Sequence, residues 1–178
     1  MTIVIREARL DDAPALYLLW QAMLRHYASV DRRVIPTPVS EAQFREALDA
    51  TIANPYAATF VAEDEGTLVG FVSGGIESNP TARLPERHLT VGYVYVAPPY
   101  RGMGLGRALF RAIANWGLSK GEIHHFEMTV LEADEEARAF WRKLGFTPFI
   151  ERLWAPLSIL DEAEVSPEDA TGGEPSPP

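Results

Sequence analysis

The sequence predicts a single domain of the α/β class, with a mixed, mostly antiparallel sheet and helices on both faces. The first observation is the order of the elements. Runs rich in β-branched and aromatic residues and apolar stripes of helical period follow one another as βααβββαβαβ. The second is size and composition, since 178 residues with 47% hydrophobic side chains suit one substantial core. We therefore expect one domain over residues 1–160.

The first half of the chain holds one predicted strand, two helices and a β-hairpin. Asp and Ser precede the helical stripes, where their side chains accept N–H groups of the first turn. An acidic turn with a glycine joins the two hairpin strands. In chain order the elements are a strand over Ile3–Arg6, a helix capped by Asp11 or Asp12, a helix from Ser40 to Asn54, and strands over Ala58–Glu63 and Thr67–Ile76.

The second half alternates strands with helices. Pro98-Pro99 ends the first of these strands, because proline lacks the N–H that a strand ladder needs. Gly145 suits the left-handed residue that ends a helix. The elements are a strand over Leu89–Val96, a helix from Leu105, a strand over Ile123–Leu131, a helix capped by Asp134, and a strand over Phe149–Leu157 that closes the sheet.

Composition excludes several classes of function. Without cysteine there is no disulfide, thiolate metal site or cysteine nucleophile, and we predict no metal cofactor. The net charge of −9 falls largely on the tail 161–178, which has six acidic residues and no basic one and is expected to be disordered. The rest lacks a broad basic face for nucleic acid, and no apolar run reaches the roughly 18 residues of a membrane span. We expect a cytoplasmic protein that binds neither nucleic acid nor membrane.

A glycine-rich turn at Arg101–Arg107 joins the fourth strand to the third helix. Gly102, Gly104 and Gly106 let the main chain adopt unusual dihedral angles and approach a ligand closely, because glycine has no Cβ. The turn lies at a helix N-terminus, where unpaired N–H groups and the macrodipole favour an anion, and two arginines flank it. Its spacing is neither that of a P-loop nor that of a dinucleotide-binding motif. The turn therefore predicts a phosphate site of another kind.

Residues Arg101–Gly106 fit the pattern R/Q-x-x-G-x-G/A, and at this point the chain resembles the GNAT superfamily of acyl-CoA-dependent N-acyltransferases. Residues Ala133–Phe146 are similar to the later motif of that family, N-x-x-A-x-x-F/L-Y-x-K-L-G-F. The two motifs occur in the family's order, and the predicted elements match the GNAT layout over residues 2–160. The resemblance implies a GNAT-like domain whose sheet is splayed at the cofactor site.

The resemblance also implies an N-acetyltransferase that moves an acetyl group from acetyl-CoA to a primary amine by direct attack in a ternary complex. The acceptor would be a small molecule or a peptide. The glycine turn would hold the pyrophosphate of coenzyme A, and the strand before it would bind the pantetheine arm. The implied cofactor-binding residues are Val94, Val96, Arg101, Gly102, Met103, Gly104, Leu105, Gly106, Arg107, Asp134, Ala137 and Trp141.

The chain departs from the family motifs where the chemistry occurs. The usual Asn is Asp134, which when ionised only accepts hydrogen bonds, and the usual Tyr, proposed in relatives to protonate the departing thiolate, is Trp141. Several relatives carry Glu or His on the strand before the turn, where this chain has Thr90 and Gly92. These departures motivate a second hypothesis, a non-catalytic acyl-CoA-binding or sensing module. A third hypothesis is a transferase for a longer acyl chain.

Two titratable residues, His88 and Glu127, are the candidates for a general base or for positioning a water. The pair His124-His125 lies further off. Each of these residues also has a structural interpretation, as a surface or salt-bridging group. Acceptor choice is expected to depend on the loops Tyr27–Pro38 and Glu77–Arg87. An exposed edge strand would allow a homodimer.

Overall fold

A mixed five-stranded sheet organises the chain. The computed structural model describes residues 2–78, 87–121 and 123–159. The strands are β1 (Ile3–Glu7), β2 (Ala57–Asp64), β3 (Thr67–Ser78), β4 (Arg87–Val96) and β5 (Phe126–Met128). They lie in the order β1-β2-β3-β4-β5, with three antiparallel pairings followed by a parallel pairing of β4 with β5. The predicted mixed, mostly antiparallel sheet is confirmed.

Four helices flank the sheet within the described residues, and capping explains two of their starts. The Ser40 hydroxyl accepts the Gln43 N–H at 3.2 Å, and the Asp134 carboxylate accepts the Ala137 N–H at 3.0 Å. None of these helices has the length and hydropathy needed to cross a bilayer. The helices are α1 (Ala13–Val30), α2 (Glu41–Ala53), α3 (Leu105–Ser119) and α4 (Glu135–Lys143), with short 3-10 turns at Leu10–Asp12 and Pro98–Tyr100.

The sheet separates two apolar layers. On one face, α1 and α2 cover a core that includes Leu16, Met23 and Phe71. Full burial of a side chain such as Leu16 contributes about 2 kcal/mol to the stability of the fold. On the other face α3 lies so close that a Cβ added to Gly74 would be 2.9 Å from the Cδ1 atom of Ile113. Helices therefore cover both faces, as the sequence predicts.

Helix α4 packs against α3 through aromatic rings. Phe110 of α3 meets Trp141 of α4 edge-on, with ring centroids 5.7 Å apart, and also meets Phe126 of β5 at 5.6 Å. A Cβ added to Gly106 would lie 3.0 Å from the Cζ atom of Phe140, so the missing side chain lets the two helices approach closely. This packing holds the C-terminal half of α4 against α3, next to β5.

Two predicted strands differ from the structure. The strand expected over Ile123–Leu131 shortens to β5, because pairing with β4 extends only along Leu89–Val91. The strand expected over Phe149–Leu157 is wrong, since no described residue beyond Gly145 is in a strand. Apolar residues there are exposed, and strand propensity needs a neighbouring strand to take the main-chain groups.

The chain divides by its contacts into Met1–Gly145, which carries the sheet and the four helices, and Phe146–Pro178. The second unit is described over residues 146–159. The predicted acidic tail at 161–178, the predicted boundary after residue 160, and positions 79–86 of the expected acceptor loop lie outside the described residues.

Candidate active site

The glycine turn opens α3. Gly102 and Gly104 have φ angles of 76° and 83°, in the left-handed region where a side chain is strained. A Cβ on either residue would meet no atom within 4 Å, so the space beside both is open. The Ala108 N–H donates to the Gly104 carbonyl at 3.1 Å, and helix geometry leaves the N–H groups of residues 105–107 without a helical acceptor. The turn has the geometry of an anion site.

Arg101 anchors this turn to the elements around it. Its Nε donates to the Val96 carbonyl at 3.1 Å, and its guanidinium lies 5.9 Å from the centroid of the Tyr95 ring. One terminal nitrogen lies 3.5 Å from the exposed carboxylate of Glu136. Arg101 therefore holds its positive charge beside the turn, between the end of β4 and the start of α4.

The other predicted residues of the turn differ in their exposure. The Met103 side chain is exposed, whereas Leu105 is buried. Arg107 and Arg111 line an open groove of about 400 Å³. Its remaining lining residues are Ile5, Gly104, Ala108, Ala112 and Asn115. The groove thus brings two guanidinium groups to the first turns of α3, where the helix dipole also favours negative charge.

A β-bulge reorients β4 before the turn. Gly74 of β3 pairs with Val91, and the residue before it in β3, Ser73, pairs with Tyr93. Gly92 is therefore an extra residue in β4, which shifts the alternation of side chains and main-chain groups by one position. A Cβ at Gly92 would meet the Ser73 carbonyl at 3.6 Å, an ordinary contact. There is enough space for a side chain at position 92, so steric crowding does not explain the glycine there.

The bulge turns main-chain groups toward a gap in the sheet. Pairing of β4 with β5 ends at Val91, and the rest of β4 has no β5 partner in the described chain. The Ala97 N–H donates to the Val69 carbonyl of β3 at 2.8 Å. Because main-chain directions alternate along a strand, those of Val94 and Val96 point away from β3, into the gap. The predicted splay lies there.

Asp134 is engaged twice at the start of α4. Its Oδ1 caps the helix by accepting the Ala137 N–H, and its Oδ2 lies 3.2 Å from Nε2 of His26 in α1. The residue is 6% exposed. Sequence reasoning named Asp134 and Ala137 but missed His26, since nothing in the apolar stripe of α1 indicates a partner more than a hundred positions away.

Two tyrosines lie close to this pair. Burial raises the pKa of the Tyr27 phenol, and electrostatic interactions with Tyr93 and Asp134 raise it further. The Tyr93 side chain is 45% exposed. A polar patch formed by His26, Tyr27, Tyr93 and Asp134 therefore joins α1 and β4 to the start of α4.

Trp141 fills the interface between α3 and α4. It is 5% exposed and meets Phe110 and Phe140 edge-on, with ring centroids 5.7 and 5.0 Å apart. An indole N–H donates hydrogen bonds and has no acidic function near neutral pH. Packing accounts for the aromatic character of this position.

The two predicted catalytic candidates lie together where β4 pairs with β5. His88 is 4% exposed, and its Nε2 is 3.8 Å from Oε2 of Glu127. The structure adds Nε2 of His125, 2.8 Å from Oε1 of Glu127, and Oε2 of Glu77, 3.8 Å from Nε2 of His88. Sequence reasoning placed His125 further off. Its two-residue spacing from Glu127, which puts both on one strand face, was the available signal.

A glycine turn at a helix N-terminus, beside a sheet that opens between two parallel strands, is an arrangement that suits an enzyme transferring a group from a phosphate-bearing carrier. The model of the Acetyltransferase (GNAT) family matches residues 20–146, and the chain belongs to this family. It is an acyltransferase, and its family uses acetyl-CoA. The resemblance seen in the two sequence motifs is confirmed.

Relatives of known activity are also acetyltransferases. The chain is 32% identical to L-2,4-diaminobutyric acid acetyltransferase of Halomonas elongata over 114 residues, 64% of this chain and 52% of the relative, so the match spans about half of that protein. It is 28% identical to thialysine N-epsilon-acetyltransferase of Mus musculus over 148 residues, 79% of this chain and 82% of the relative.

The fold is shared with a solved acetyltransferase structure. Aminoglycoside N-acetyltransferase AAC(6')-Iy in complex with CoA matches with a TM-score of 0.73 at 15% identity, covering 87% of this chain and 94% of that one. At this identity the similarity concerns the fold alone. It agrees with the predicted fold class.

Proposed function

We propose that this chain is an N-acetyltransferase that moves the acetyl group of acetyl-CoA to a primary amine by direct attack in a ternary complex. The observation that carries the proposal is the open glycine turn at the N-terminus of α3, next to the gap between β4 and β5. A single ligand with a phosphate group on the turn and an extended arm in the gap would contact both features.

Coenzyme A is proposed to bind with its pyrophosphate on the main chain of Arg101–Arg107. Its pantetheine arm follows Val94 and Val96, whose main-chain groups lack a β5 partner in the described residues. One of these N–H groups stabilises the oxyanion of the tetrahedral intermediate. Ala137 leaves room for the arm beside α4, and Trp141 lies toward the thioester end.

The acceptor is proposed to be a free amino acid with a primary amine on its side chain. One relative is named for L-2,4-diaminobutyric acid and the other for thialysine, and both of these amino acids carry such an amine. We infer the same acceptor class for this chain.

Proton transfer is proposed to involve Glu127 and His88, as base or as the groups that position a water. A lysine-like amine of pKa about 10.4 requires roughly 4 to 5 kcal/mol to lose its proton at pH 7. A departing thiolate of pKa about 8.5 already favours protonation at that pH by about 1.5 units. A base therefore matters more than an acid, and Trp141 in place of the family's Tyr is compatible with catalysis.

Thiol release in the presence of a panel of amines tests the proposed function. The panel contains L-2,4-diaminobutyrate, thialysine, lysine and a simple alkylamine, and mass spectrometry identifies the product. We expect amine-dependent release of free CoA together with an N-acetylated product. Binding of acetyl-CoA without thiol release from any amine would instead indicate the non-catalytic acyl-CoA sensor.

A further inference from the structure

Two histidines and a glutamate form a cluster where β4 pairs with β5. The Nε2 atom of His125 is 2.8 Å from Oε1 of Glu127, and Nε2 of His88 is 3.8 Å from Oε2 of Glu127. One ligand atom from each of these three residues lies within 4.8 Å of the others. Glu77 of β3 adds a second carboxylate, with its Oε2 3.8 Å from Nε2 of His88. Three adjacent strands thus contribute nitrogen and oxygen donors.

Hydrogen bonding within the protein satisfies this cluster only in part, through the contact between His125 Nε2 and Glu127 Oε1. His88 is 4% exposed, yet within the described residues its Nδ1 has no hydrogen-bond partner, nor does the Nδ1 of His125 or the hydroxyl of Thr90. The Nε2 of His88 is too far from both carboxylates for a hydrogen bond. Buried polar atoms without partners are uncommon in folded proteins. Nδ1 and Nε2 are different nitrogens of the imidazole ring, so the unpaired Nδ1 atoms are positions for a bound water, and the candidate ligand atoms for an ion are the Nε2 atoms that face the carboxylates.

The donor spacing suits a divalent transition metal. In a tetrahedral zinc site with bonds of about 2.0 to 2.1 Å, neighbouring donor atoms lie about 3.3 Å apart. The separations of 2.8 and 3.8 Å fall on either side of that value. The rings of His88 and His125 are stacked, with centroids 5.1 Å apart and planes inclined by 16°. At least one ring must therefore rotate for both Nε2 atoms to face one ion.

We propose that His88, His125 and Glu127 bind one Zn²⁺ ion, with Glu77 as the fourth ligand. Two imidazoles and two carboxylates form a donor set that zinc accepts, and they would close a four-coordinate site. The ion joins β3, β4 and β5, where β4 and β5 share only three residue pairs. The proposal goes beyond acetyl transfer and requires neither acetyl-CoA nor an acceptor. A carboxylate oxygen or an imidazole nitrogen that is bound to zinc does not accept a proton, so zinc binding competes with the proposed role of His88 and Glu127 as base.

Zinc binding to the full chain tests this proposal. The protein is prepared without a polyhistidine tag, treated with a chelator, and titrated with Zn²⁺ alone by calorimetry, with thermal unfolding measured in parallel. The chain has no cysteine, so thiolate binding cannot account for the heat of the titration. Its four histidines limit the number of possible imidazole sites. We expect one ion per chain with a micromolar or smaller Kd, and a higher Tm in zinc. The absence of zinc binding to the wild-type chain would overturn the proposal.

Three variants assign the binding to the cluster. His125→Ala and Glu127→Gln remove one ligand each and should weaken zinc binding at least about 100-fold, since loss of even an outer-shell partner weakens a metal site about 10- to 100-fold. His124→Ala is the matched control, because His124 is adjacent but exposed and outside the cluster. It should bind zinc like the wild type.

Retained folding is checked by circular dichroism and by acetyl-CoA affinity. Glu127→Gln keeps the shape of the side chain, so it carries the test if His125→Ala unfolds. Wild-type zinc affinity in a folded Glu127→Gln variant, or equal loss of zinc binding in His124→Ala, would contradict the site.

Discussion

The Nε2 atom of His26 lies 3.2 Å from Oδ2 of Asp134, which ties the C-terminal half of α1 to the first turn of α4. The same carboxylate caps α4 through its other oxygen. Where the GNAT motif usually has an Asn, this chain thus uses an acidic residue that is already engaged with two partners. The start of α4 is held in place by contacts within the protein, independently of any cofactor.

Replacing Asp134 should separate its structural role from any cofactor contact. Asp134→Ala removes the cap and the His26 partner and should lower the free energy of unfolding by about 1 to 2 kcal/mol, measured by urea denaturation. Asp134→Asn keeps a capping oxygen and should lose less than half as much. Equal stability of the wild type and the Ala variant would show that the contacts of this carboxylate contribute nothing.

Gly104→Ala should weaken acetyl-CoA binding. The positive φ angle makes alanine strained by about 1 kcal/mol, and the new Cβ enters the open space where the phosphates are proposed to lie. Gly121→Ala is the matched control, since Gly121 also has a positive φ with open space, beyond the other end of α3 and about 25 Å away. We expect similar losses of stability but at least about tenfold weaker acetyl-CoA binding only in Gly104→Ala. Equal affinities in the two variants would place the phosphates elsewhere.

Gly92→Glu should raise the rate of acetyl transfer. A Cβ at this position would meet only the Ser73 carbonyl and hydroxyl, at 3.6 and 3.9 Å, and a carboxylate there would stand on the strand that is proposed to hold the pantetheine arm. A well-placed base contributes about 100-fold or more, so a gain of about tenfold in kcat/KM at pH 7 is expected from an unrefined placement. Gly92→Gln has nearly the same size without a base and should show no gain. A Glu variant that binds acetyl-CoA normally but is no faster than the Gln variant would mean that no base is missing there.

Asp12 should support the fold at neutral pH and lose this effect in acid. Hydrogen bonds from Arg6 lower the pKa of the Asp12 carboxyl below its usual value, against the opposing effect of burial, and the Arg9 N–H lowers it further. Its stabilisation is therefore complete above a pH of about 4 and is lost as the pH falls through the lowered pKa.

The variant Asp12→Asn tests this pH dependence. At pH 7 it should lower the free energy of unfolding by about 1 kcal/mol, allowing for solvent screening. The difference from the wild type should shrink as the pH falls below about 4 and through the lowered pKa of Asp12, as measured by urea denaturation across the acid range. A difference that is constant with pH would exclude the ion pair as its cause.

Local signals were the part of the site that the sequence could predict. The left-handed glycines 102, 104 and 145 and the cap at Asp134 depend on neighbouring residues and were found where expected. The expectation of unusual dihedral angles at Gly106 is wrong, because this residue lies inside α3 and has no positive φ. The bulge at Gly92 could not be predicted, because it exists only through the pairing of β4 with β3. The same holds for His26, whose partner lies on a distant helix.

The strand predicted over Phe149–Leu157 is a case in which the sequence predicted an element that the structure lacks. The segment is rich in apolar and aromatic residues, but the side chains of Leu153 and Leu157 are 83% and 88% exposed. Burial against a neighbouring strand decides whether such a segment forms a ladder, and the pattern alone carries no information about that neighbour.

Calorimetric titration of the free protein with acetyl-CoA tests the central claim most directly. The glycine turn, the main chain of β4 and the open gap beside it predict one binding site per chain with a dissociation constant in the micromolar range. Binding at that strength would support the assignment of the turn as the site of the cofactor phosphates. A titration that shows no binding of acetyl-CoA to the folded, tag-free chain would contradict the account.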